Sequence, residues 1–122
     1  METEERSRRQ RGLARLAELD DEPGGEKFLA SLGDLGDYTV DFAFGDVHCR
    51  EGLSVRDREL VILAVLTSLG GLDPQVRAHI RAARAAGASD REIEETIIQT
   101  TPYAGFPRAI NGLKILREEQ QS

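Results

Sequence analysis

Several features that mark particular classes of protein are scarce in this chain of 122 residues. Its one cysteine, Cys49, can form neither a disulfide nor a two-cysteine redox pair within a single chain. No uncharged apolar run approaches the roughly 18 residues that a membrane-spanning helix needs. The N-terminal residues lack the apolar centre of a signal peptide. We therefore expect a cytoplasmic protein without a membrane partner.

Positive charge is also too sparse for a protein that binds nucleic acid. The chain has 16 lysines and arginines against 22 aspartates and glutamates, for a net charge of −6, whereas nucleic-acid-binding domains carry a basic face. The sequence has no phosphate-binding loop, and its two histidines and one cysteine are not spaced as metal ligands. We expect no nucleic-acid partner and no metal.

The N-terminal part of the chain contains one weakly amphipathic segment and a break. A helix is predicted over residues 6–19, and "DDEPGGE" at residues 20–26 is rich in turn formers. We divide the chain accordingly into an N-terminal helix or arm with its linker, residues 1–25, and a helical domain, residues 26–122. The segment "FGDVHCREGL", residues 44–53, is predicted to be a loop.

Helix signals become stronger after this loop. The run "ELVILAVLTSL", residues 59–69, is apolar almost all round and predicts a central, buried helix. Asp73 is expected to cap the next helix ahead of Pro74, and Gly87 to close it. The letters "SDRE", residues 89–92, form a capping box. No strand alternation is evident, so the fold class is all-α with about six helices.

A break near the C-terminus interrupts the helical rhythm. The stretch "TTPYAGFPRAI" contains Pro102 and Pro107, which cannot both lie inside one regular helix because each lacks an N–H and crowds the preceding turn. We interpret it as the end of one helix and the start of the last. Tyr103 and Phe106 either line a pocket at this bend or are ordinary core residues.

Two side chains are candidates for acid–base chemistry. His79 lies within an expected helix, one turn after Gln75, and imidazole exchanges a proton near neutral pH. The alternative is a partly buried histidine satisfied by one hydrogen bond. Glu59 precedes the apolar run, where a carboxylate either favours the helix N-terminus or, if enclosed, becomes an acid or base.

Further candidates flank these two in the sequence. Arg56 and Arg58 either pair with Glu59 or present a cation to an anionic substrate. His48 and Cys49 are adjacent, which suggests a thiol nucleophile, although a cysteine serving as a small apolar residue is commoner.

Taken together, these segments resemble the carboxymuconolactone decarboxylase family, part of the alkylhydroperoxidase-D-like superfamily. The resemblance runs from about Phe42 to Leu116. It is carried in order by "FGDVHCREGLSVRDREL", the apolar helix after it, "HIRAARAAGASDREIEETIIQ" and "PYAGFPRAINGL".

The resemblance implies an all-helical subunit that forms trimers or hexamers with pockets near the subunit contacts. It also implies decarboxylation of a small carboxylated lactone without a cofactor. His79 matches the family's histidine and is the expected proton donor, Arg58 matches the helix-start arginine expected to bind substrate, and Arg56 is a weaker substitute. Glu59 matches the acidic position of a proton relay. The bend would place Tyr103 and Phe106 beside the histidine helix.

Departures from the family pattern concern the expected pocket. The two positions that are cysteines in peroxidase-type relatives are Leu72 and Gln75, which excludes disulfide-linked peroxide reduction within one subunit. Many decarboxylases have glutamate where this chain has Gln75, and tryptophan-serine where it has His48-Cys49. A different substrate, a Cys49-dependent thiol or redox enzyme, and a non-catalytic binding or assembly protein therefore stay open as alternatives.

Overall fold

The structure, a computed structural model, describes residues 6–20 and 24–122. In these ranges the chain is helical and has no β-strand, which confirms the all-α fold class. Part of the expected break, residues 21–23, lies outside the described residues. The elements are α1 (Arg8–Leu19), α2 (Gly25–Ala30), α3 (Asp34–Tyr38), a π-helical segment (Thr39–His48), α4 (Val55–Leu69), α5 (Asp73–Ala85), α6 (Asp90–Ala104) and α7 (Phe106–Gln121).

These elements form two compact units. The first unit ends at Val55 and the second begins at Arg56. The division at residues 25 and 26 stays a prediction. No helix in the described part of the chain is both long enough and apolar enough to span a membrane.

In the first unit, α1 packs closely against the π segment. A capping box starts α1, in which Ser7 Oγ accepts from the Gln10 N–H over 3.1 Å and Gln10 Oε1 accepts from the Ser7 N–H over 2.8 Å. Any Cβ at Gly12 would collide with the carbonyl oxygen of Val40, and one at Gly45 with that of Arg8. Both glycines are therefore required for backbones to approach this closely.

The expectation of a loop over residues 44–53 is wrong for its first half. The π segment continues to His48, and irregular structure follows only from Cys49. Gly45 is a buried contact point with α1 rather than a turn, and its carbonyl oxygen accepts a hydrogen bond from Arg11 Nε over 3.2 Å.

The second unit is built around an apolar core between α4, α5, α6 and α7. Its most deeply buried side chains are Leu63, Ile80, Ile93, Ile97 and Leu116. Helix α4 contributes to this core, but the expectation that it is buried all round is wrong: Val61 and Val65 are 52% and 51% exposed within the single chain. The apolar run of α4 therefore also has an exposed side, which does not pack against this core.

The helix ends of the second unit follow the expected signals with one exception. Gly87 closes α5 with a φ of +100°. Ser89 and Glu92 form the predicted capping box, with bonds of 3.0 and 2.9 Å. Asp73 is not the cap of α5. It is the first helical residue, and its Oδ1 accepts from Asn111 Nδ2 of α7 over 3.1 Å, so this carboxylate links two helices.

The C-terminal bend separates α6 from α7, as predicted. Helix α6 runs through Pro102 and ends at Ala104, since a proline one turn before the end removes only one bond of the ladder. Gly105 makes the break, with a φ of +97° that other residues rarely adopt. Pro107 lies in the first turn of α7, where no N–H is needed.

A buried carboxylate connects α5 to α7. Glu119 accepts hydrogen bonds from Arg81 Nε over 2.6 Å and from Arg77 Nη1 over 2.9 Å, and its side chain is almost fully buried. The Arg81 hydrogen bond, with that of Arg77, holds the pKa of Glu119 below its ordinary value of 4.5. The unfolded chain thus binds this proton more readily than the folded chain does.

We expect Glu119→Gln to lower the free energy of unfolding by about 2 kcal/mol at pH 7, because it weakens two charge-assisted hydrogen bonds. Because the folded-state pKa is lowered, this stabilisation is complete above about pH 4.5 and is lost as the pH falls through the folded-state pKa. Urea unfolding followed by circular dichroism between pH 7 and pH 3 measures the difference.

The matched control is Glu118→Gln. Glu118 also pairs with Arg77, over 2.7 Å, but its side chain is 46% exposed, so we expect a much smaller loss. Equal losses in the two variants, or a difference between wild type and Glu119→Gln that does not change with pH, would contradict the assignment.

Candidate active site

A hydrogen bond in the second unit joins the two residues expected to carry acid–base chemistry. Glu59 Oε1 lies 2.7 Å from His79 Nδ1. The Glu59 side chain has no exposed surface, whereas that of His79 is 23% exposed. A fully enclosed carboxylate therefore holds an imidazole that still reaches the surface.

Local sequence patterns explain both positions. Glu59 follows the start of α4 by one turn and begins a buried stripe of that helix, which continues with Leu63 and Thr67 at spacings of four residues. It thus occupies a position that an apolar residue would normally fill. His79 lies at the edge of the buried stripe of α5, beside Ile80, so its ring can meet Glu59 and remain partly accessible.

The two candidate arginines have different surroundings. Arg56 forms ion pairs with Glu92 over 2.6 Å and with Asp57 over 3.1 Å. The pKa of Glu92 is lowered, chiefly by the backbone hydrogen bond from Ser89 and further by the charge of Arg56. Arg56 therefore links α4 to the start of α6. Arg58 is half-buried on α4, next to Glu59 in the chain.

The remaining candidates of the second unit lie on its surface. Gln75 is exposed on α5, one turn before His79. Tyr103 is 88% exposed and Phe106 70%. Tyr103 lines a groove of about 560 Å³ together with residues of α4 and α6. It was expected to lie beside α5, the helix of His79, but no residue of α5 lines this groove. The structure thus brings Glu59 and His79 together but does not enclose them with the two aromatic residues.

His48 and Cys49 belong to the first unit. His48 is buried at the end of the π segment, with its Nδ1 2.8 Å from Arg15 Nη1. Because a guanidinium can only donate, Nδ1 accepts this bond. The Cys49 thiol, which is half-buried, lies 3.7 Å from the carbonyl oxygen of Arg11 and donates to it. In a neutral imidazole the accepting nitrogen is the one that can take a proton from a thiol. In His48 this nitrogen is Nδ1, which already accepts a hydrogen bond from Arg15.

Sequence reasoning missed a second cavity in the second unit, with a volume of about 490 Å³. It is bounded by the end of α4 and the first turns of α5 and α7, and none of the expected site residues lines it. Gly70-Gly71 and Gly112 were the available signals, because small residues leave space at helix ends. Among the described residues, no three histidine, cysteine, aspartate or glutamate side chains are grouped as metal ligands.

Comparison with known proteins gives matches consistent with this fold. Over 103 residues the chain is 39% identical to a 4-carboxymuconolactone decarboxylase of Acinetobacter baylyi, which covers 78% of this chain and 75% of that protein. Over 73 residues it is 42% identical to an uncharacterized 15.0 kDa protein in the nqo9-nqo10 intergenic region of Paracoccus denitrificans. That alignment covers 59% of this chain and only 54% of the relative.

The family model of the carboxymuconolactone decarboxylase family matches residues 33–118. This range contains Glu59 and His79 and every other expected site residue. It extends over more than two thirds of the sequence. The chain belongs to the carboxymuconolactone decarboxylase family.

Proposed function

We propose that the protein is a cofactor-independent decarboxylase of a small carboxylated lactone, with His79 as the proton donor. The observation that supports this proposal is the 2.7 Å hydrogen bond between the buried Glu59 carboxylate and the imidazole of His79. The relative named 4-carboxymuconolactone decarboxylase supports 4-carboxymuconolactone as the first substrate to test.

The chemistry of this substrate defines what the site must supply. The departing carboxylate is attached to the γ-carbon of an unsaturated lactone. When its bond to that carbon breaks, carbon dioxide leaves and the electron pair moves through the ring to give a dienolate. A proton is then added at the carbon next to the lactone carbonyl. The reaction needs a cation for the carboxylates and an acid, but no oxidant or reductant.

The Glu59–His79 pair suits the acid's role. When Glu59 is ionised, it accepts the hydrogen on Nδ1 and fixes the ring, which leaves Nε2 to carry the transferred proton. No described residue forms a hydrogen bond with Nε2. After Nε2 gives its proton to the dienolate, solvent can restore it.

The substrate's negative charges require a cation near this acid. Arg58 is our candidate, because it neighbours Glu59 on α4 and is half-buried. Arg56 is a second candidate, and Glu92 accepts from its guanidinium over 2.6 Å. Gln75 is exposed one turn from His79 and can donate to a substrate oxygen without exchanging a proton.

The thiol alternative has less support, because the Cys49 thiol donates to the carbonyl oxygen of Arg11 and His48 Nδ1 accepts from Arg15.

We also propose a homotrimer or homohexamer in the cytoplasm. The exposed apolar side of α4, with Val61, Val65 and Leu69, supports self-association because such a surface favours burial.

We expect His79 to carry its hydrogen on Nδ1 when the ring is neutral, because Glu59 accepts there. Glu59→Leu removes the acceptor and should shift the neutral ring toward the Nε2–H form. Two-bond ¹H–¹⁵N correlation spectra distinguish these forms. The chain has two histidines, so His48→Gln assigns both rings. Unchanged His79 nitrogen shifts in a folded Glu59→Leu variant would show that the hydrogen bond is absent in solution.

We expect wild-type protein to release carbon dioxide from 4-carboxymuconolactone and His79→Gln to lose roughly 100-fold or more of kcat, since a positioned acid contributes about that much. Arg91→Gln is the matched surface control, because Arg91 is exposed on α6 and, within the described part of the chain, forms an ion pair only with Glu95, over 3.8 Å. A product formed in heavy water should carry one deuterium beside the lactone carbonyl.

The variants separate the alternatives. Loss of turnover in Cys49→Ala, with His79→Gln fully active, would favour a thiol enzyme. No turnover by wild type would exclude this substrate. If a panel of related carboxylated lactones also failed while the protein stayed folded and oligomeric, a non-catalytic binding or assembly protein would replace the proposal.

A further inference from the structure

The second cavity of the second unit has the size of a small-molecule site. Its volume of about 490 Å³ lies within the range of ligand pockets in proteins. It is bounded by the last turn of α4, the first turn of α5 and the first three turns of α7. Leu72 and Val76 of α5 line it, while Gln75 and His79 do not.

A buried hydroxyl without a partner lines this cavity. Thr67 is 3% exposed, and its Oγ1 forms no hydrogen bond within the described part of the chain. A threonine inside a helix usually bonds to the carbonyl oxygen one turn earlier. Thr67 instead faces α7, where a Cβ at Gly112 would lie 2.9 Å from its Cγ2 and 3.3 Å from its Oγ1. Such a group is expected to gain a partner when a polar ligand enters.

The side chain of Arg108 forms another wall of the cavity and carries a positive charge. Arg108 extends along Gly70, whose backbone adopts a φ of +75° and whose missing Cβ would lie 2.9 Å from Arg108 Nε. No carboxylate within residues 6–20 and 24–122 pairs with this guanidinium. Its one hydrogen bond goes to the carbonyl oxygen of Ala104 over 3.5 Å, at the limit for such a bond. Arg108 is thus able to bind a carboxylate through two nitrogens.

The other polar groups restrict the charge of the ligand. Asn111 donates to Asp73, and both side chains line the cavity. The Asp73 carboxylate would repel a second negative charge. The remaining lining includes the apolar side chains of Leu66, Leu69 and Ile115. We infer that this cavity binds a small monocarboxylic acid, with its carboxylate on Arg108, a polar atom on Thr67 and an apolar body against α4 and α7.

Leu72 is the one position named above for the family's pocket that lines this cavity; none of the candidate catalytic or substrate-binding residues does, so we treat the two sites as distinct. Occupation of the cavity therefore does not depend on decarboxylation. Binding can be measured in the whole protein without turnover, so failure of either proposal leaves the other intact.

Isothermal titration calorimetry with benzoate tests the inference. Wild type should bind benzoate, and Arg108→Gln should weaken binding about tenfold or more, as should replacing benzoate with the neutral benzamide. Arg91→Gln and His79→Gln should leave the benzoate affinity unchanged. Absence of binding by wild type, equal affinity in Arg108→Gln, or loss of binding in His79→Gln alone would overturn the assignment.

A second variant separates a ligand-binding hydroxyl from a structural one. Thr67→Val keeps the shape of the side chain and removes a hydroxyl that has no partner in the free protein. Its melting temperature without benzoate should therefore equal or exceed that of wild type, while its benzoate affinity should fall several-fold. A lowered melting temperature together with unchanged affinity would show that the hydroxyl serves the fold and would contradict its role in the site.

Discussion

The buried carboxylate of Glu59 is the interaction on which the proposed chemistry depends. Enclosing an ionised group is costly unless a charged or hydrogen-bonding partner accompanies it. His79 is such a partner, at 2.7 Å and on a neighbouring helix. The hydrogen bond that offsets the cost of burying the carboxylate therefore also fixes Nδ1 of the imidazole and leaves Nε2 for a substrate. A packing requirement and a catalytic geometry are satisfied by one hydrogen bond.

Buried core residues on both α4 and α5 hold Glu59 and His79 in place. Leu63 and Thr67 continue the buried stripe that Glu59 begins on α4, and Ile80 anchors α5 directly beside His79. On either side of His79 in the chain, Arg77 and Arg81 form ion pairs with Glu119 that attach α5 to α7. The imidazole is thus carried on a helix that two other elements hold in place, which limits its freedom to leave the carboxylate.

Much of this fold could be predicted because its signals are local. The Ser89–Glu92 capping box and Gly87 depend on residues within a few positions of one another, and all three behave as predicted. The exposed side of α4 could not be predicted, because an all-round apolar helix does not reveal which of its sides the chain itself covers. The π segment was missed for a similar reason: Gly45 looks like a turn former until α1 packs against it.

In the candidate site too, single residues could be predicted from local sequence, whereas contacts between residues far apart in the chain could not. Sequence position suggested Glu59 and His79 separately, but their contact joins residues that are 20 positions apart. Likewise, nothing in the sequence reveals that Arg56 donates to Glu92, 36 positions away, or that Tyr103 lines a groove with residues of α4. The second cavity depends on three helix ends meeting, which is a tertiary property without a motif.

The π segment has a consequence for how this family member can gain or lose residues. Its backbone uses wider turns than an α-helix, so it accommodates extra residue length between Thr39 and His48. Deleting one residue there would let the wider turns tighten to ordinary α-helical winding, in which each N–H bonds to the fourth rather than the fifth residue before it. The residues that follow would then keep close to their present directions, so His48 would still face Arg15. A length difference of one residue among natural relatives is therefore expected to fall within this stretch.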